Sequence, residues 1–578
     1  MVYLSWKDTY ATWKNQATLE TSLKQELIAS AGDDATLEDA FYQPMEFGTA
    51  GMRGVLGPGI NRMNIYTVRQ ATEGLAIFMD TLPAEVKERG VAISFDSRHH
   101  SEDFAHESAR VLGEHGIKSF VFESLRPTPE LSFTVRHLHT YAGIMITASH
   151  NPKQYNGYKI YGEDGGQMPP KESDLITSYI RKVTDLFAIK VADEDQLLTT
   201  KTMTIIGDDV DQAYLAKVKT VNINQKLIDE VGKDMKLVFT PLHGTGRMLG
   251  EKALRNAGFK NFSVVKEQAV ADPEFSTVKF PNPEFPEAFK MAIDLGKKEG
   301  ADVLIAVDPD ADRLGTAVRQ PNGDYVLLTG NQIAAVLLHY ILQANQDAGT
   351  LPANAAAVKS IVSSEFATKV AASYNVEMIN VLTGFKYIAE QIEHFEETGE
   401  HTYMFGFEES YGYLIKPFVH DKDAIQTTVL LAEVAAYYKQ QGKNLYDGLQ
   451  DLFAEYGYFR EKTTSEEFDG VGGGDKIKAL MTKFRNEAPV DFAGNKVVST
   501  EDFASQTETF ADGHTAPIAL PTANVLKYKL ADGTWIAIRP SGTEPKIKFY
   551  IGTLGDSLAE ANTKLDQFDQ AIQAFIKE

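Results

Sequence analysis

The sequence predicts an α/β protein whose core consists of doubly wound, largely parallel sheets. Short apolar runs at 142–146 and 303–307 are typical of buried strands, and each ends abruptly in a polar loop. Helical patterns alternate with such strands, and this alternation is typical of a doubly wound sheet. The chain has 578 residues, which is too long for a single core and favours about four domains.

The composition is that of an ordinary globular protein without cysteine. The net charge of −23 argues against a general nucleic-acid or anionic-membrane binder, since both need an excess of Lys and Arg. The lack of cysteine excludes disulfides and thiolate chemistry. The sequence shows neither a signal-like N-terminal segment nor an apolar run of about 18 residues, so we expect a soluble cytoplasmic protein. Oligomeric state does not follow from the sequence.

A glycine-rich segment surrounds one arginine near the N-terminus. Arg53 lies among the glycines of residues 46–59, in a backbone suited to lie close to another group, with the guanidinium as an anion-pairing fork. The alternative is a plain turn with a solvated arginine. Upstream, Trp6, Tyr10 and Trp13 are spaced as the packing stripe of a helix.

A candidate nucleophile follows the strand at 142–146. Ser149 and His150 come at the carboxyl end of this strand, where open α/β sheets bind ligands. An Asn156-Gly157 turn then returns the chain, with Lys159 within reach of the same crevice. The loop therefore offers a hydroxyl, a base or donor, and a cation. Taken alone, such a short motif more often means that Ser149 caps a helix and His150 packs or faces solvent.

Three local predictions concern the end of the first α/β unit and the start of the second. Ser173 is expected to cap a helix whose apolar face includes Ile176 and Ile180. The polar stretch Thr199–Thr204 is interpreted as a linker, with a second α/β unit from about residue 205. His243 is expected to stabilise a turn rather than to perform chemistry.

Three carboxylates follow an apolar strand in the middle of the chain. Asp308, Asp310 and Asp312 stand at alternate positions, and crowding them costs free energy unless a cation lies among them. Hard oxygen ligands suit Mg²⁺ or a similar divalent ion. An EF-hand is excluded because its sixth position needs Gly and its twelfth Glu, where this chain has Arg313 and Arg319. A solvated acidic turn is the alternative.

Two later strand ends carry groups suited to a phosphosugar. Glu408 and Glu409 are adjacent acceptors that could bind paired sugar hydroxyls or could simply begin a helix. In the segment 539–546, RPSGTEPK, an arginine and two hydroxyls surround a glycine, which predicts a phosphate cradle. The order of its residues is not that of a Walker loop, and a surface turn is the alternative. Tyr456-Gly457-Tyr458 is interpreted as the hinge into a fourth domain.

Taken in chain order, these motifs resemble those of the alpha-D-phosphohexomutase superfamily. The matching pieces are TASHNP with NGYK, DPDADR, FEESYG and RPSGTEP, and with the Arg53 loop they extend from residue 46 to residue 546. The resemblance implies three doubly wound mixed α/β domains and a smaller C-terminal α+β domain around a central cleft. The implied domains are 1–204 (phosphoserine), 205–325 (metal), 326–456 (sugar) and 457–578 (phosphate).

The same resemblance implies roles for individual residues. It implies that Asp308, Asp310 and Asp312 hold Mg²⁺ together with an oxygen of phosphorylated Ser149. The implied catalytic residues are Ser149, Arg53, His150, Lys159 and Lys422. The implied substrate-binding residues are Thr383, Gly384, Glu408, Ser410, Arg313, Arg539, Ser541, Gly542 and Thr543.

The implied activity interconverts α-D-glucose 1-phosphate and glucose 6-phosphate, with glucose 1,6-bisphosphate as primer and intermediate. Some family members carry a histidine where this chain has Gly412, so proton transfer is expected to fall to Lys159 or Lys422. Phe407 before Glu408 resembles a branch that also acts on pentose phosphates, and mannose phosphates are a further alternative. A silent sugar-phosphate binding protein and a phosphatase are the competing classes.

Overall fold

A computed structural model of the chain describes residues 5–47, 51–468, 473–541 and 546–577. Its contacts divide the chain into two compact units. The first unit contains the chain up to Leu327 together with Gly412–Ala436, and the second contains Leu328–Tyr411 and the chain from Tyr437 onwards.

Helices and strands alternate through the part of the chain that precedes residue 328. These elements are α1 (Trp6–Asn15), α2 (Thr21–Ala29), α3 (Asp34–Phe41), β1 (Met52–Val55), α4 (Ile65–Asp80), α5 (Ala84–Arg89), β2 (Val91–Phe95), α6 (Ser101–Glu114), β3 (Ser119–Phe122), α7 (Thr128–Leu138), β4 (Ala142–Ile146), β5 (Tyr155–Tyr161), α8 (Pro170–Ile180), α9 (Glu194–Thr200), β6 (Met203–Ile206), α10 (Asp208–Val218), α11 (Gln225–Val231), β7 (Leu237–Thr240), α12 (Gly246–Ala257), β8 (Phe262–Val264), α13 (Lys290–Glu299), β9 (Val303–Val307), β10 (Leu314–Arg319) and β11 (Tyr325–Leu327).

Strands dominate the last part of the chain. The remaining elements are α14 (Gly330–Asp347), β12 (Ala355–Ser360), α15 (Glu365–Ser373), β13 (Glu377–Val381), α16 (Phe385–Thr398), β14 (Thr402–Glu408), β15 (Gly412–Leu414), α17 (Ala424–Gln440), α18 (Leu445–Tyr456), β16 (Tyr458–Glu467), α19 (Gly473–Asn486), β17 (Asp491–Phe492), β18 (Asn495–Asp502), β19 (Thr507–Phe510), β20 (Thr515–Pro517), β21 (Leu526–Leu530), β22 (Trp535–Pro540), β23 (Lys546–Gly555) and α20 (Leu558–Lys577).

The first sheet of the first unit has the strand order β1-β5-β4-β2-β3-β6. Its central strands β4, β2, β3 and β6 are parallel, whereas β5 runs antiparallel to β4 and to β1. Alternate residues of β4 enter different cores, since Ile144 packs with one cluster of helices and Met145 with another. The sheet is therefore covered on both faces, which explains why its strands are continuous apolar runs.

The second sheet of the first unit has the order β11-β10-β9-β7-β8. Strands β7, β8 and β9 are parallel, and β10 and β11 turn back antiparallel. All five residues of β9 are buried. The loop that carries Asp308 therefore leaves a fully buried central strand at its carboxyl end, where an α/β sheet places ligand-binding side chains.

The aromatic residues of helix α1 pack in a hydrophobic cluster, as their spacing in the sequence predicted. Trp13 is buried, and Trp6 and Tyr10 are partly buried against the same cluster, which also contains Phe41 and Tyr66. His243 also behaves as expected. Its ring bonds the Val270 carbonyl and the Thr277 hydroxyl, so it ties a turn with positive φ to the neighbouring loop.

Two local sequence predictions are wrong. Ser173 does not cap a helix, because α8 begins at Pro170 and Ser173 lies buried inside it. Proline at the first helical position has its φ already set for a helix, and this start signal outweighs the serine. The stretch Thr199–Thr204 is not a linker, because it contains the end of α9 and the start of β6, which pairs with β3.

The second unit contains two sheets. In one, β12 pairs in parallel with both β13 and β14. The other is antiparallel, with the order β16-β23-β22-β21-β18-β19-β20 and β17 beside β18. Helices α19 and α20 pack on this antiparallel sheet through Phe484 and Phe568. The predicted fold class, mixed α/β domains followed by an α+β domain, is confirmed. None of the described helices combines the length and the apolar character that crossing a bilayer requires.

Candidate active site

The backbone around Ser149 adopts an unusual conformation at the end of β4. Ser149 has a φ of 51°, in the left-handed region that most side chains avoid. Its N–H donates to the Thr147 hydroxyl at 2.8 Å, and that hydroxyl donates to Asp96 Oδ2 at 2.6 Å. Both partners are buried, so the strained backbone is held by hydrogen bonds from the sheet below it.

The Ser149 hydroxyl points at the carboxylates of the loop after β9. Its Oγ donates to Asp308 Oδ2 at 2.7 Å and lies 3.2 Å from His150 Nδ1. Burial and the nearby cations Arg313 and Arg53 lower the pKa of His150 well below its usual value. His150 is therefore neutral at physiological pH and can exchange a hydrogen bond with Ser149 without carrying charge.

Asp308, Asp310 and Asp312 converge on one point in the loop after β9. One carboxylate oxygen of each lies within 4.8 Å of the others, and all three side chains are buried. The backbone N–H groups of Asp312 and Arg313 donate to Asp308 Oδ1 at 3.1 and 3.0 Å and fix its orientation. The prediction that these alternate positions form one oxygen-rich cluster is confirmed by this geometry.

The charge of this cluster calls for a cation. Burial and the neighbouring carboxylates raise the pKa of Asp308 well above its usual value, and burial with Asp310 raises that of Asp312. Asp310 Oδ1 and Asp312 Oδ1 are buried and accept no hydrogen bond from any described residue. Buried acceptors without donors are costly, so these three carboxylates fit a hard divalent cation such as Mg²⁺.

Two lysines face the same carboxylates. Lys159 of β5 has its Nζ 3.1 Å from Asp310 Oδ2, and Lys422 has its Nζ 3.2 Å from Asp312 Oδ2. The Lys422 ammonium also donates to Asp421 at 3.0 Å. Each lysine side chain is less than 9% exposed. The structure thus brings together residues that lie 110 or more positions apart in the sequence.

Gly412 and Lys422 share one space. A Cβ added to Gly412 would lie 2.1 Å from Lys422 Cδ, so the lysine stem occupies the volume that a side chain at position 412 would need. The backbone of Gly412 also forms a β-bridge with Arg313, beside the carboxylate loop. The departure from the family pattern at Gly412 is therefore accompanied by a lysine that fills the same place.

Arg53 lies on a strand rather than in a free loop. It belongs to β1, where it is opposite Gly157 of β5, and its Nη1 donates to Asn151 Oδ1 at 2.9 Å. Gly51 makes this pairing feasible, since its φ is 103° and an added Cβ would lie 2.1 Å from the Tyr158 carbonyl oxygen. The close backbone approach predicted for this segment is confirmed, and Arg53 lies beside the serine loop.

Arg313 is anchored next to the carboxylate cluster. Its Nη1 donates to Glu284 Oε1 at 2.6 Å, and its Nε lies 3.8 Å from Asp312 Oδ1. The side chain is 18% exposed. A guanidinium held in this way can pair with an anion that approaches the cluster.

The predicted sugar residues lie together in the second unit. Glu408 ends β14, and its Oε1 accepts a hydrogen bond from the Gly384 N–H at 2.9 Å. The neighbouring Thr383 hydroxyl is buried, with no hydrogen-bond partner among the described residues. Glu409 accepts a hydrogen bond from Ser360 at 3.0 Å, and its pKa is raised by burial and by Glu408.

The predicted phosphate residues are described only in part. Arg539 lies on β22 opposite Lys548 of β23. Ser541 follows at the end of β22, and its N–H donates to the Lys546 carbonyl at 2.8 Å. Burial raises the pKa of Tyr550 on β23, and Glu409 and Glu408 contribute to the increase, whereas Arg539 opposes it. The other predicted residues, Gly542 and Thr543, lie outside the described residues.

Sequence reasoning missed Thr128 as a member of this site. Thr128 begins α7, and its hydroxyl donates to Asp310 Oδ2 at 3.0 Å while its N–H donates to the Asp310 carbonyl at 2.9 Å. The Pro127-Thr128-Pro129 sequence signals the start of a helix, but its partner lies 182 residues away. No local pattern could have joined the two.

Comparison with known proteins decides the family. Four models of the phosphoglucomutase/phosphomannomutase family match in order: α/β/α domain I over residues 44–186, domain II over 212–323, domain III over 329–456 and the C-terminal domain over 489–568. The chain belongs to the phosphoglucomutase/phosphomannomutase family. The resemblance drawn from the motifs is confirmed, and with it an enzyme of the isomerase type that transfers a phosphoryl group within its substrate.

Relatives from three staphylococci match nearly the whole chain. A phosphoglucomutase of Staphylococcus epidermidis is 42% identical over 519 residues, which cover 89% of this chain and 91% of the relative. One of Staphylococcus haemolyticus is 38% identical over 541 residues, 93% of this chain and 96% of the relative. One of Staphylococcus aureus is 40% identical over 520 residues, 90% and 91% of the two chains.

Solved structures of the family share the fold at low identity. Parafusin, a phosphoglucomutase of Paramecium solved in an open form, matches with a TM-score of 0.65 and 18% identity, covering 93% of this chain and 95% of its own. A phosphoglucomutase/phosphomannomutase family protein of Burkholderia thailandensis matches with a TM-score of 0.62 and 18% identity. The match covers 91% of this chain and 97% of that protein. At this identity the likeness establishes the fold alone.

Proposed function

We propose that the chain interconverts α-D-glucose 1-phosphate and glucose 6-phosphate, the phosphoglucomutase reaction. The observation that carries the proposal is the hydrogen bond from Ser149 Oγ to Asp308, which places a hydroxyl on the rim of a buried cluster of three carboxylates. Staphylococcal relatives named phosphoglucomutase, about 40% identical over nearly the full chain, support the choice of glucose.

We propose Mg²⁺ as the metal cofactor of this reaction. Asp308, Asp310 and Asp312 would hold it, since carboxylate oxygens are hard ligands of the kind that Mg²⁺ prefers, and Asp310 Oδ1 and Asp312 Oδ1 accept no hydrogen bond from any described residue. When bound, the ion supplies positive charge that offsets both the carboxylates and a phosphoryl group on Ser149. Lys159 and Lys422 add positive charge through their ion pairs with Asp310 and Asp312.

The reaction has two halves that share one serine. In the first, the phosphoryl group leaves Ser149 Oγ, which takes up a proton, and joins the C6 oxygen of glucose 1-phosphate, whose hydroxyl gives up its proton. Glucose 1,6-bisphosphate then turns end for end. In the second half, the C1 phosphoryl group passes to Ser149 Oγ, whose hydroxyl gives up its proton, and the C1 oxygen takes up a proton. Glucose 6-phosphate leaves, and the serine is phosphorylated again.

The other predicted residues take supporting roles in the proposal. Arg53 and Arg313 would pair with the moving phosphoryl group, because transfer depends on positioning and charge neutralisation more than on covalent assistance. His150, which lies 3.2 Å from Ser149 Oγ, would share a hydrogen bond with the serine oxygen. Lys159 and Lys422 are the candidates for the proton carrier, because both ammonium groups reach the carboxylate cluster.

The substrate would be held by groups of the second unit. Glu408 and Ser410 would accept the sugar hydroxyls, with Thr383 and Gly384 beside them. The remaining residues would bind the phosphate that is not being transferred, namely Arg539, Ser541, Gly542 and Thr543. We propose four domains at 1–204, 205–325, 326–456 and 457–578, and a cytoplasmic location stays a prediction from the sequence.

A second candidate substrate class is supported by one feature of the sequence. Phe407 before Glu408 resembles the branch that also acts on pentose phosphates. Ribose or deoxyribose 1-phosphate is therefore the main alternative substrate, and mannose 1-phosphate is the other.

A coupled assay tests the proposal. Purified enzyme with Mg²⁺ and a trace of glucose 1,6-bisphosphate is given glucose, ribose or mannose 1-phosphate, and both the isomer and free phosphate are measured. We expect rapid glucose 6-phosphate formation, little free phosphate, and a mass increase of one phosphoryl group that maps to Ser149. If the enzyme converts ribose 1-phosphate faster than glucose 1-phosphate, the pentose phosphate is its main substrate. Free phosphate as the main product would indicate a phosphatase.

The serine itself needs a matched control. Ser149→Ala should lower turnover by at least about 1,000-fold. Ser178→Ala removes an exposed hydroxyl that donates to the Leu175 carbonyl of its own helix, so it should leave turnover unchanged. Full turnover by the Ser149→Ala enzyme would end the proposal.

A further inference from the structure

One buried arginine, outside the residues named so far, holds the backbone of the serine loop. Arg98 follows β2, and its guanidinium is fully buried. Its Nη2 donates to the Ser149 carbonyl at 2.6 Å and also to the Asn151 carbonyl. Its Nη1 donates to the carbonyls of Pro152 and Tyr155 at 2.8 and 3.0 Å. All four terminal N–H groups are thus directed at the segment 149–155.

The guanidinium is itself held in place from two sides. Its Nε lies 3.2 Å from Asp96 Oδ2, the oxygen that also accepts the Thr147 hydroxyl. The ring of Phe275 covers the guanidinium face at 4.9 Å, and Phe275 is 2% exposed. A planar fork fixed by a carboxylate and an aromatic face loses little freedom when it binds carbonyls. Asp96 and Phe275 therefore present Arg98 in one orientation.

We propose that Arg98 is the positioning residue that holds Ser149 in its left-handed conformation and so aims its hydroxyl at Asp308. The proposal rests on the function proposed above, since it matters only if Ser149 carries the phosphoryl group. Ser149 has a φ of 51°, which is costly and persists only where surrounding bonds enforce it. The carbonyl of Ser149 itself accepts one of these bonds, so the backbone of the nucleophile is held directly.

Lysine offers no equivalent of this arrangement. Its ammonium is a compact point charge with three donors, whereas Arg98 spreads five N–H groups over a rigid plane. Arg98→Lys keeps the charge near Asp96 but loses the carbonyl contacts that lie farthest from it. The conservative change therefore separates positioning from simple charge.

The test measures kinetics and loop protection in the full chain. Arg98→Lys should lower kcat about 100-fold, with KM for glucose 1-phosphate changed less than about threefold. Amide hydrogen exchange in residues 149–155 should rise at least about tenfold while other segments stay unchanged. The matched control is Arg110→Lys in the same domain, where the arginine bonds the Ala192 carbonyl and Glu107 but not the serine loop. It should keep wild-type kcat.

Chemical rescue gives an independent readout. Free guanidinium at low, non-denaturing concentration should restore part of the kcat of Arg98→Ala, and methylammonium should not. Wild-type kcat in a folded Arg98→Lys enzyme would overturn the proposal, as would unchanged exchange in residues 149–155. An equal loss of kcat in Arg110→Lys would do the same.

Two outcomes could otherwise confuse the test. If the Arg98 variants fail to fold, Phe275→Leu removes the aromatic cover but keeps the arginine, and exchange in residues 149–155 should still rise; unchanged exchange there would overturn the proposal. If the wild type shows no mutase turnover, the proposed function fails. The exchange experiment still decides whether Arg98 holds the loop.

Discussion

Ser149 and Asp308 lie 159 residues apart in the sequence and are joined by a hydrogen bond of 2.7 Å. Each stands at the carboxyl end of a buried strand, Ser149 after β4 and Asp308 after β9. The two sheet domains of the first unit therefore meet where each has its ligand-binding edge. A phosphoryl group on Ser149 would have its charge directly beside the carboxylate oxygens that we propose as cation ligands.

The first prediction concerns this pair. Asp308→Asn keeps Oδ1 as an acceptor for the two backbone N–H groups but removes one negative charge from the cluster. We expect turnover to fall at least about 100-fold and the Mg²⁺ requirement to rise, measured by kinetics over a Mg²⁺ titration. Asp324→Asn is the control, because Asp324 pairs with Lys297 on the surface, where ion pairs contribute little. Equal losses in both variants would contradict the metal assignment.

The second prediction concerns the space shared by Gly412 and Lys422. In Gly412→Ala the new Cβ would overlap the lysine stem, so the ammonium should move away from Asp312. A displacement of about 1 Å can cost about 100-fold in rate, and we expect a loss of kcat of that order. Gly474→Ala is the matched control, since an added Cβ there meets no atom of the described residues within 4 Å. Normal kcat in Gly412→Ala would show that Lys422 is not needed where it lies.

Strands bounded by abrupt polar loops could be predicted from the sequence, and strands in polar or glycine-rich segments could not. The apolar runs 142–146 and 303–307 coincide with β4 and β9, because strands buried on both faces must be continuously apolar. Strand β1 contains Gly54 and Arg53, and its pairing depends on the close approach that Gly51 allows. Strand β6 has only four residues and lies at a sheet edge, and the polar residues just before it made the stretch resemble a linker.

The residues of the site also divide into those that the sequence could predict and those that it could not. Side chains with a chemical signature, such as the three aspartates and the serine, stand out in the sequence because few structural roles require them. Arg98 and Thr128 act through main-chain carbonyls and through a partner up to 182 residues away, so no spacing reveals them. Positioning residues of this kind become visible only when the fold brings their partners together.

The third prediction is a pH dependence of stability in the second unit. Although burial opposes the shift, Lys359 and Lys527 lower the pKa of Glu365 to about 2. The ionised carboxylate therefore stabilises the fold at pH values above its unfolded pKa of about 4.5, and this contribution is lost as the pH falls towards 2. Because the side chain is 34% exposed, we expect about 1–2 kcal/mol at pH 7 rather than the full value.

Urea titrations of wild type and Glu365→Gln between pH 7 and pH 3 measure this effect. The difference in the free energy of unfolding should be largest at pH 7 and should shrink below pH 4.5. Glu397→Gln changes an exposed carboxylate of α16 and should show no such difference. A Glu365→Gln difference that is constant with pH would mean that the ion pairs with Lys359 and Lys527 do not lower its pKa.

The last prediction concerns Thr128, whose hydroxyl donates to Asp310 Oδ2 at 3.0 Å. Thr128→Val keeps the shape of the side chain and the backbone N–H that binds the Asp310 carbonyl, but removes the donor that orients the carboxylate. Loss of such an outer hydrogen bond typically costs 10- to 100-fold in metal affinity, and we expect the Mg²⁺ concentration for half-maximal activity to rise by about that factor. Thr134→Val is the matched control, since Thr134 lies in the same helix and its buried hydroxyl donates to the Glu130 carbonyl within that helix. If both variants need the same Mg²⁺ concentration as wild type, Asp310 is oriented without Thr128. If both need more, the effect comes from packing in α7, because only Thr128 reaches the carboxylate.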